Sequence, residues 1–424
     1  MERNVKIFPI YKLFSYDILF YYAVSILYLN GTKGISLAEI ALLSSIYAIA
    51  AIIWQIPAAI ITDKIGLKKA MVVGNLGCLL WGIIYLIAPN FKILLFGDIA
   101  LAFGFSLKGT AESPFIYSSL KRLGRLSDFS KIEGRGSSLY FIAEAIACVV
   151  AGYLFKINVY LPIIFSCICI LAATILSFYT KSIKNLKSSE STFKERLNEL
   201  VGGFKFIFKS KRLHALLIFA CLFYGILSLS SIYIKTFLNH LNVDSTTFGY
   251  IFAAASISAS IGSIAQEQIS KKLKNQTLAT ISLIFISSFI FLGVISLLTN
   301  NYNILLITAI IIYLLQMFLR GAYRIIAKNY ISNFTTSTIR SKLMSIYYLS
   351  EHLGSATLLF LTSSLLDSIN IGLVYTLSGF ILSVAMIAVL NYMENRVGLK
   401  PEQYDKSDRM DLQEKEAKKL SENC

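Results

Sequence analysis

The sequence at residues 62–69 reads TDKIGLKK and separates two long apolar stretches, residues 37–61 and 70–88. A helix of about 20 predominantly apolar residues crosses the roughly 30 Å hydrocarbon core of a membrane, and both stretches are near or above that length. The charged residues therefore occupy a short loop between two hydrophobic segments. This arrangement predicts a pair of membrane-spanning helices joined at one surface of the bilayer.

The same alternation continues along the whole chain. Of its 424 residues, 56% are hydrophobic and 15% are charged, whereas soluble proteins usually have about 25% charged residues. This composition excludes an ordinary soluble globular protein. Twelve stretches are long and apolar enough to be spans, at residues 8–29, 37–61, 70–88, 93–118, 137–156, 159–180, 213–238, 246–269, 278–298, 303–327, 343–366 and 371–393.

The positive charge is distributed unevenly between alternate loops. The chain has 40 Lys and Arg residues and a net charge of +16, but the odd-numbered loops contain only Lys33, Lys92 and Lys156. Positively charged loops stay in the cytoplasm, so both termini are predicted to be cytoplasmic in a multi-pass protein of a bacterial plasma membrane. Because the charges lie between hydrophobic spans and not on one folded module, nucleic acid is not predicted as a partner.

The longest loop divides the chain near its middle, with six spans before it and six after it. Residues 181–212 are rich in Lys, Ser and Glu. We therefore predict an N-terminal six-helix bundle (residues 1–180), a cytoplasmic linker (181–212), a C-terminal six-helix bundle (213–393) and a cytoplasmic tail (394–424).

The loop at residues 62–69 also resembles the signature loop of the major facilitator superfamily, G-x-L-x-D-R-x-G-R-K. Asp63 and Gly66 match the acid and the glycine of the pattern, and Lys68 matches a basic position, whereas Lys64 and Leu67 replace arginines. The resemblance implies an all-α membrane protein with 12 transmembrane helices in two pseudo-symmetric six-helix bundles, the major facilitator fold. It also implies a conformational-gating loop that contains Asp63, Lys64, Gly66 and Lys68.

Three further stretches are similar to superfamily members that export drugs or metabolites: residues 104–117 (GFSLKGTAESPFIY), 134–136 and 329–345. Two features of many proton-coupled exporters are missing, an Arg near Ala100 and a proline in the motif at residues 147–152. The resemblance implies proton-coupled efflux of a small amphiphilic compound by alternating access. An importer of a small metabolite with the same fold is the alternative, ahead of a membrane enzyme or a transporter-like sensor.

Ionisable side chains inside the spans are the sharpest functional signal, because each costs from about 2.5 to more than 10 kcal/mol at the bilayer centre. They are absent from spans 3, 6, 9 and 12, which the superfamily fold places at the periphery. The deep or fairly deep candidates are Asp17, Lys108, Glu112, Glu144, Lys235, Arg320, Arg324, Glu351 and His352.

Among these residues, carboxylates and a histidine are candidates for proton coupling. Asp17 is a lone carboxylate about ten residues into span 1, and we expect it to be desolvated there. Glu351 and His352 are about 100° apart around their helix, so at most one of them faces a cavity. The coupling candidates are Asp17, Glu112, Glu144, Glu351 and His352.

The substrate cavity is predicted to have mixed charge and aromatic walls. Lys108 and Glu112 are four residues apart on one helical face, so they either pair with each other or contact substrate. We expect Lys235 and Arg324 to extend towards the membrane surface. The cavity candidates are Lys108, Arg320, Tyr21 and Tyr224.

No motif in the sequence indicates an enzyme. A zinc-binding HExxH, a phosphate-binding GxxxxGKS and a paired nucleophile and base are all missing, so no cofactor or metal is predicted. The predicted partners are a small-molecule substrate, a proton with sodium as the alternative ion, and the lipid bilayer, around a monomer.

Overall fold

The computed structural model describes residues 1–183, 211–333, 337–394 and 396. Every regular element in these residues is helical, and each of the twelve predicted spans lies largely on helix. The helices are α1 (Glu2–Ser15), α2 (Tyr21–Ile26), α3 (Leu37–Ile65), α4 (Leu67–Ile87), α5 (Phe91–Arg122), α6 (Phe129–Ile157), α7 (Leu161–Tyr179), α8 (Lys211–His240), α9 (Ser245–Leu273), α10 (Thr277–Leu298), α11 (Tyr302–Asn333), α12 (Ser337–Ser363), α13 (Leu365–Ser368) and α14 (Ile371–Glu394).

Span 1 is not the continuous helix that its apolarity predicts. Helix α1 ends at Ser15, residues 16–20 are not helical, and α2 continues as a π-helix over Leu27–Thr32. The sequence between α1 and α2 contains neither proline nor glycine. The break is stabilised by side chains that bond to the freed backbone groups, as in other interrupted membrane helices.

Eight helical segments of the described residues are long and apolar enough to cross a membrane. One of them, Ser245–Leu298, includes both α9 and α10. Helix α5 is not among the eight, consistent with the ionisable residues along it. Large apolar side chains are widely exposed, for example Ile264 at 82% and Leu298 at 80%, which would be unfavourable in water and suits contact with lipid.

The contact pattern divides the chain into two compact units. Unit 1 comprises the described residues of Met1–Arg196 together with Leu238–Ile257, and unit 2 comprises those of Leu197–Phe237 and Ser258–Cys424. Most of the predicted linker, residues 181–212, and the predicted tail beyond residue 394 lie outside the described residues. The four-part division of the chain therefore stays a prediction.

In unit 1, α5 packs against α3 and α4, while α1 packs against α6 and α7. The crossing of α4 and α5 depends on glycine. An added Cβ at Gly104 would lie 2.6 Å from the Gly74 carbonyl oxygen, and one at Gly77 would lie 3.1 Å from Gly104 Cα. Small residues allow two helix backbones to approach this closely in a membrane.

In unit 2, glycines again mark the helix crossings. An added Cβ at Gly321 of α11 would overlap the Ala259 carbonyl oxygen of α9, and one at Gly262 would overlap that of Phe318. Ser258 and Ser263 of α9 donate hydrogen bonds to carbonyl oxygens of α11. The small residues of α9 within unit 2 therefore serve helix packing.

Residues 62–69, predicted to be a loop, form the end of α3 and the start of α4, and Gly66 is the one residue between the two helices. Gly66 has φ +86° and ψ 155°, a region that only glycine occupies without strain. Lys68 donates to the carbonyl oxygens of Phe178 (2.9 Å) and Thr180 (2.6 Å) at the end of α7. Asp63 is half-buried and Lys64 is exposed. The loop thus fixes the ends of three helices, while its gating role stays a prediction.

Candidate functional site

Glu112 lies at the centre of a polar site in unit 1. It is buried, and its Oε1 accepts hydrogen bonds from the hydroxyls of Tyr11 (2.8 Å) and Ser15 (2.7 Å). Its Oε2 lies 3.9 Å from Lys12 Nζ. The carboxylate of α5 is therefore held by three polar contacts near the end of α1, next to the break in span 1.

Lys12 connects Glu112 to a second acid. Its Nζ lies 2.9 Å from Glu133 Oε2 of α6, and only 8% of its surface is exposed. The ammonium group also lies over the rings of Phe8 (5.6 Å) and Tyr16 (5.5 Å). One buried cation therefore joins α1, α5 and α6, and it is shared between two carboxylates.

Lys108 has a different partner from the one that its spacing suggests. Its ammonium donates to the backbone carbonyl oxygen of Ser15 and lies 4.5 Å from the centroid of the Phe105 ring. The carbonyls that end a helix have no partner within it, and a cation there also favours the helix dipole. No ion pair forms between Lys108 and Glu112: both side chains bond to α1 instead.

Asp17 lies in the break and is exposed, so the expectation that it is desolvated is wrong. The side chain leaves the helical register with residues 16–20, and its Oδ1 accepts from the backbone N–H of Ile18 at 2.7 Å. Asp17 remains close in sequence to the contacts of Glu112, two residues beyond Ser15. Its role as a coupling residue stays a prediction.

Glu144 of α6 is half-buried and accepts a hydrogen bond from the Tyr140 hydroxyl at 2.7 Å. Tyr140 stacks on Tyr16, with 4.3 Å between ring centroids. Tyr16 in turn lies beside Lys12. The Glu144 carboxyl is therefore connected to the Lys12 region through two aromatic rings.

Unit 2 contains a second buried carboxylate, Glu351 of α12. It is 8% exposed and accepts a hydrogen bond from Tyr347, and Tyr323 of α11 belongs to the same group. His352 is only half-buried. The neighbouring positions thus differ in environment, as their 100° separation predicts.

The other predicted residues of unit 2 fall into two groups. Tyr224 is half-buried and interacts electrostatically with Tyr323, whereas Arg324 is exposed. Lys235 is 7% exposed, so the expectation that it extends to the membrane surface is wrong. Lys235 lies in the buried stretch Tyr233–Leu238 of α8.

Arg320 is half-buried in α11 and makes no ion pair within the described residues. Its Nη1 lies 3.9 Å from the Met317 sulfur. Four residues away, the buried Gln316 side chain accepts from Ser230 and donates to Ser288 (2.7 Å). The Gln316 amide is thus hydrogen-bonded to two neighbouring side chains, while the Arg320 guanidinium retains N–H donors for a ligand.

Sequence reasoning missed three polar residues of these sites: Lys12, Glu133 and Gln316. Lys12 lies near the start of span 1, and Glu133 precedes the predicted start of span 5 at residue 137. Both lie about one helical turn from a span end, at the same end of unit 1. Opposite charges at matching depth on two spans are the signal that could have indicated the pair.

Gly136 sets the distance between α1 and α6 beside Lys12. An added Cβ there would lie 3.1 Å from Lys12 Cβ and 3.5 Å from Pro9 Cα, whereas Gly134 has nothing within 4 Å. We expect Gly136→Val to lower the free energy of unfolding by about 1–3 kcal/mol more than Gly134→Val. Thermal unfolding in detergent measures this difference. Equal melting temperatures for the two variants would contradict the close approach.

The described residues thus form an all-helical membrane protein with buried carboxylate sites in both units and no group of His, Cys, Asp and Glu that could hold a metal. The sequence profile of the Major Facilitator Superfamily matches residues 12–313. The chain belongs to this superfamily, as its sequence predicts, and the proteins that it matches are transporters and not enzymes.

One bacterial relative is described as an MFS-type transporter. The chain is 25% identical over 265 residues to the uncharacterized MFS-type transporter YxaM of Bacillus subtilis (strain 168). That match covers 61% of this chain and 64% of the relative, so slightly less than two thirds of the relative is spanned.

Solved structures confirm the fold. The chain is similar to the nucleoside transporter NupG, with a TM-score of 0.72, 14% identity, and coverage of 93% of this chain and 100% of that one. For a POT family transporter in complex with 5-aminolevulinic acid, the TM-score is 0.69 and the identity 15%, with coverage of 93% of this chain and 96% of that one. For a D-xylose-proton symporter, the TM-score is 0.72 and the identity 10%, with coverage of 94% of this chain and 99% of that one. At these identities the likeness concerns the fold alone.

Proposed function

We propose that the protein is a proton-coupled secondary transporter that exports a small amphiphilic compound, with Glu112 as the coupling carboxyl. One observation carries the proposal: the buried Glu112 carboxylate bonds to Tyr11, Ser15 and Lys12 at the end of an interrupted span. A buried carboxylate in a membrane span marks an ion or proton pathway by default.

Proton uptake at Glu112 would change how α1 is held. The ionised carboxylate attracts Lys12, and protonation removes that attraction while the Lys12 contact with Glu133 at 2.9 Å remains. The electrostatic attraction between α1 and α5 weakens, whereas the ion pair between α1 and α6 persists. A ligand that changes the relative free energies of two arrangements shifts their populations, and here the ligand is the proton.

Arg320 supports a substrate that carries a negative group beside an apolar body. It is a half-buried cation inside a span, and the described residues offer it no carboxylate. Residues 104–117, which resemble exporters, support the outward direction. Export would take place across a bacterial plasma membrane, with both termini cytoplasmic and the protein acting as a monomer.

Proton-coupled import of a small metabolite is the second candidate. The fold is shared with a protein described as a D-xylose-proton symporter, and a fold does not determine the direction of transport. Glu112 would serve either direction, because proton binding biases the conformation in the same way.

The test is transport by the purified full chain in proteoliposomes. Fluorescent amphiphilic compounds with and without a carboxylate are offered under an imposed pH gradient or an imposed sodium gradient. We expect carboxylate-bearing compounds to move against a proton flux that a pH-sensitive dye records. Movement in the same direction as the protons would replace export with import, and movement that follows only the sodium gradient would reject proton coupling.

A further inference from the structure

A second buried carboxylate of unit 1, Asp98, lies on the same helix as Glu112 but at the other end of the unit. The two residues are 14 positions apart on α5, which is about 21 Å along the helix axis. Asp98 is 6% exposed and belongs to none of the contacts that hold Glu112. It therefore needs an explanation of its own.

The partners of Asp98 are all neutral. Its Oδ1 accepts a hydrogen bond from the Tyr85 hydroxyl at 2.7 Å, and the Trp81 side chain is a second polar neighbour. No Lys, Arg or His forms an ion pair with Asp98 within the described residues. A buried carboxylate without a cation is far less stable when ionised than in water, so this site favours a bound proton.

The surrounding rings are packed against one another and leave no room for an organic cation between them. Trp81 and Tyr85 have centroids 4.6 Å apart, and Tyr21 meets Trp81 at 5.1 Å and Tyr85 at 5.7 Å, both edge to face. Tyr28 closes the cluster by donating to the Tyr85 carbonyl oxygen. A proton is the ligand that requires no cavity.

The Tyr21 hydroxyl is the unpartnered polar group of this cluster. It is buried and has no hydrogen-bond partner within the described residues, although it interacts electrostatically with Asp98. A buried polar group normally finds a partner, because leaving it unpaired costs about 1–3 kcal/mol. A protonated Asp98 has one hydrogen bond to donate, and the unpartnered Tyr21 oxygen is an acceptor in the same ring cluster.

One charged group, Lys33, borders the cluster from the segment that follows α2: its Nζ lies 5.6 Å from the centroid of the Tyr28 ring and donates to the carbonyl oxygens of Leu86 and Ala88, and it forms no ion pair with Asp98. Helix α4 contributes Tyr85 and Trp81, and α2 contributes Tyr21. Helix α3 packs on this part of α5 around Ala102 through Tyr47 and Trp54, and it has no charged residue between Glu39 and Asp63. On α5 itself, the nearest charged residues in sequence are Lys92 and Lys108.

We propose that Asp98 is a second proton-binding site of unit 1, which takes up and releases a proton inside the cluster of Tyr21, Tyr28, Trp81 and Tyr85. The inference is independent of the proposed export, because it concerns proton binding at Asp98 and not coupling at Glu112. It can also be tested without any substrate.

Trp81 is the reporter for the test. The chain has two tryptophans, so the full-length Trp54→Phe variant emits from Trp81 alone, next to the carboxyl. We expect its fluorescence in detergent to show a reversible transition between about pH 5 and pH 9. Asp98→Asn in this background should remove the transition, whereas Asp128→Asn, the same change at a partly exposed carboxylate just beyond the other end of α5, should retain it.

A second variant keeps the test decisive if Asp98→Asn does not fold. Tyr85→Phe removes a donor that favours the ionised carboxylate, so we expect it to move the midpoint upward by about one pH unit. Three results would overturn the proposal: no transition in the Trp54→Phe protein, a transition that neither Asp98→Asn nor Tyr85→Phe alters, or a signal that depends on sodium at constant pH.

Discussion

Glu112→Gln is expected to remove transport driven by a pH gradient while substrate still equilibrates down its own gradient. Glutamine keeps the size of the side chain, and its amide oxygen can still accept from Tyr11 and Ser15. It cannot bind a proton, and it does not attract Lys12. Coupling free energies between sites are usually about 1–3 kcal/mol, so we expect accumulation to fall by up to about 100-fold.

Glu2→Gln is the matched control for this experiment. Glu2 is an exposed carboxylate of the same helix bundle, paired with Arg125 at 3.0 Å, and its neutralisation should leave pH-driven accumulation within about 2-fold of the parent value, since exposed ion pairs contribute little. Glu112→Asp should restore part of the coupling because it restores a titratable group. Undiminished coupling in Glu112→Gln would reduce Glu112 to a structural residue and reject it as the proton site.

Gly354→Ala is expected to cause the largest loss of stability among single-methyl additions in unit 2. An added Cβ at Gly354 of α12 would overlap the carbonyl oxygen of Cys221 in α8, and the Gly354 carbonyl oxygen lies 2.6 Å from where a Cβ on Gly225 would be. Backbone atoms cannot rotate away as a side chain can, so the two helices must separate. We expect a loss of about 3 kcal/mol or more, and a melting temperature lower by about 6–12 °C.

Gly109→Ala controls for the change of residue type. Gly109 lies inside α5 with nothing within 4 Å of an added Cβ, so alanine there should be neutral or stabilising by up to about 1 kcal/mol. Melting in detergent, followed by size-exclusion chromatography of the heated samples, compares the two variants. A Gly354→Ala protein as stable as Gly109→Ala would show that α8 and α12 do not cross at these residues.

The sequence was sufficient for the helical class, because apolarity and length decide it, and all twelve predicted spans lie largely on helix. In the hydrocarbon core of a membrane, the polar groups of the backbone must be hydrogen-bonded within the segment itself. A long apolar stretch therefore has few alternatives to a helix. The same criterion was uninformative at the break after Ser15. The carbonyl oxygen of Ser15, at the break, is bonded by Lys108, a residue far away in the sequence, and no local pattern encodes that contact.

The candidate sites were predicted in part for a similar reason. Glu112, Glu144 and Glu351 were selected because a carboxylate in a span is costly, and that argument holds for any fold. The sequence could not predict the contact partner of each residue, since Lys108 could pair with Glu112 four residues away or with another helix. Lys12 was missed because a lysine near a span end usually extends to the surface, whereas Glu133 holds it inside.

The interrupted first span also bears on how the chain enters the membrane. Helix α1 has 14 residues, about 21 Å of helix, and is too short to cross roughly 30 Å of hydrocarbon by itself. Its last carbonyl oxygen is bonded by Lys108, and Lys12 is neutralised by Glu112 and Glu133. We therefore expect the N-terminal segment to reach its final depth only after the ribosome has synthesised α5 and the start of α6, so that biogenesis of the first span is completed by helices made later.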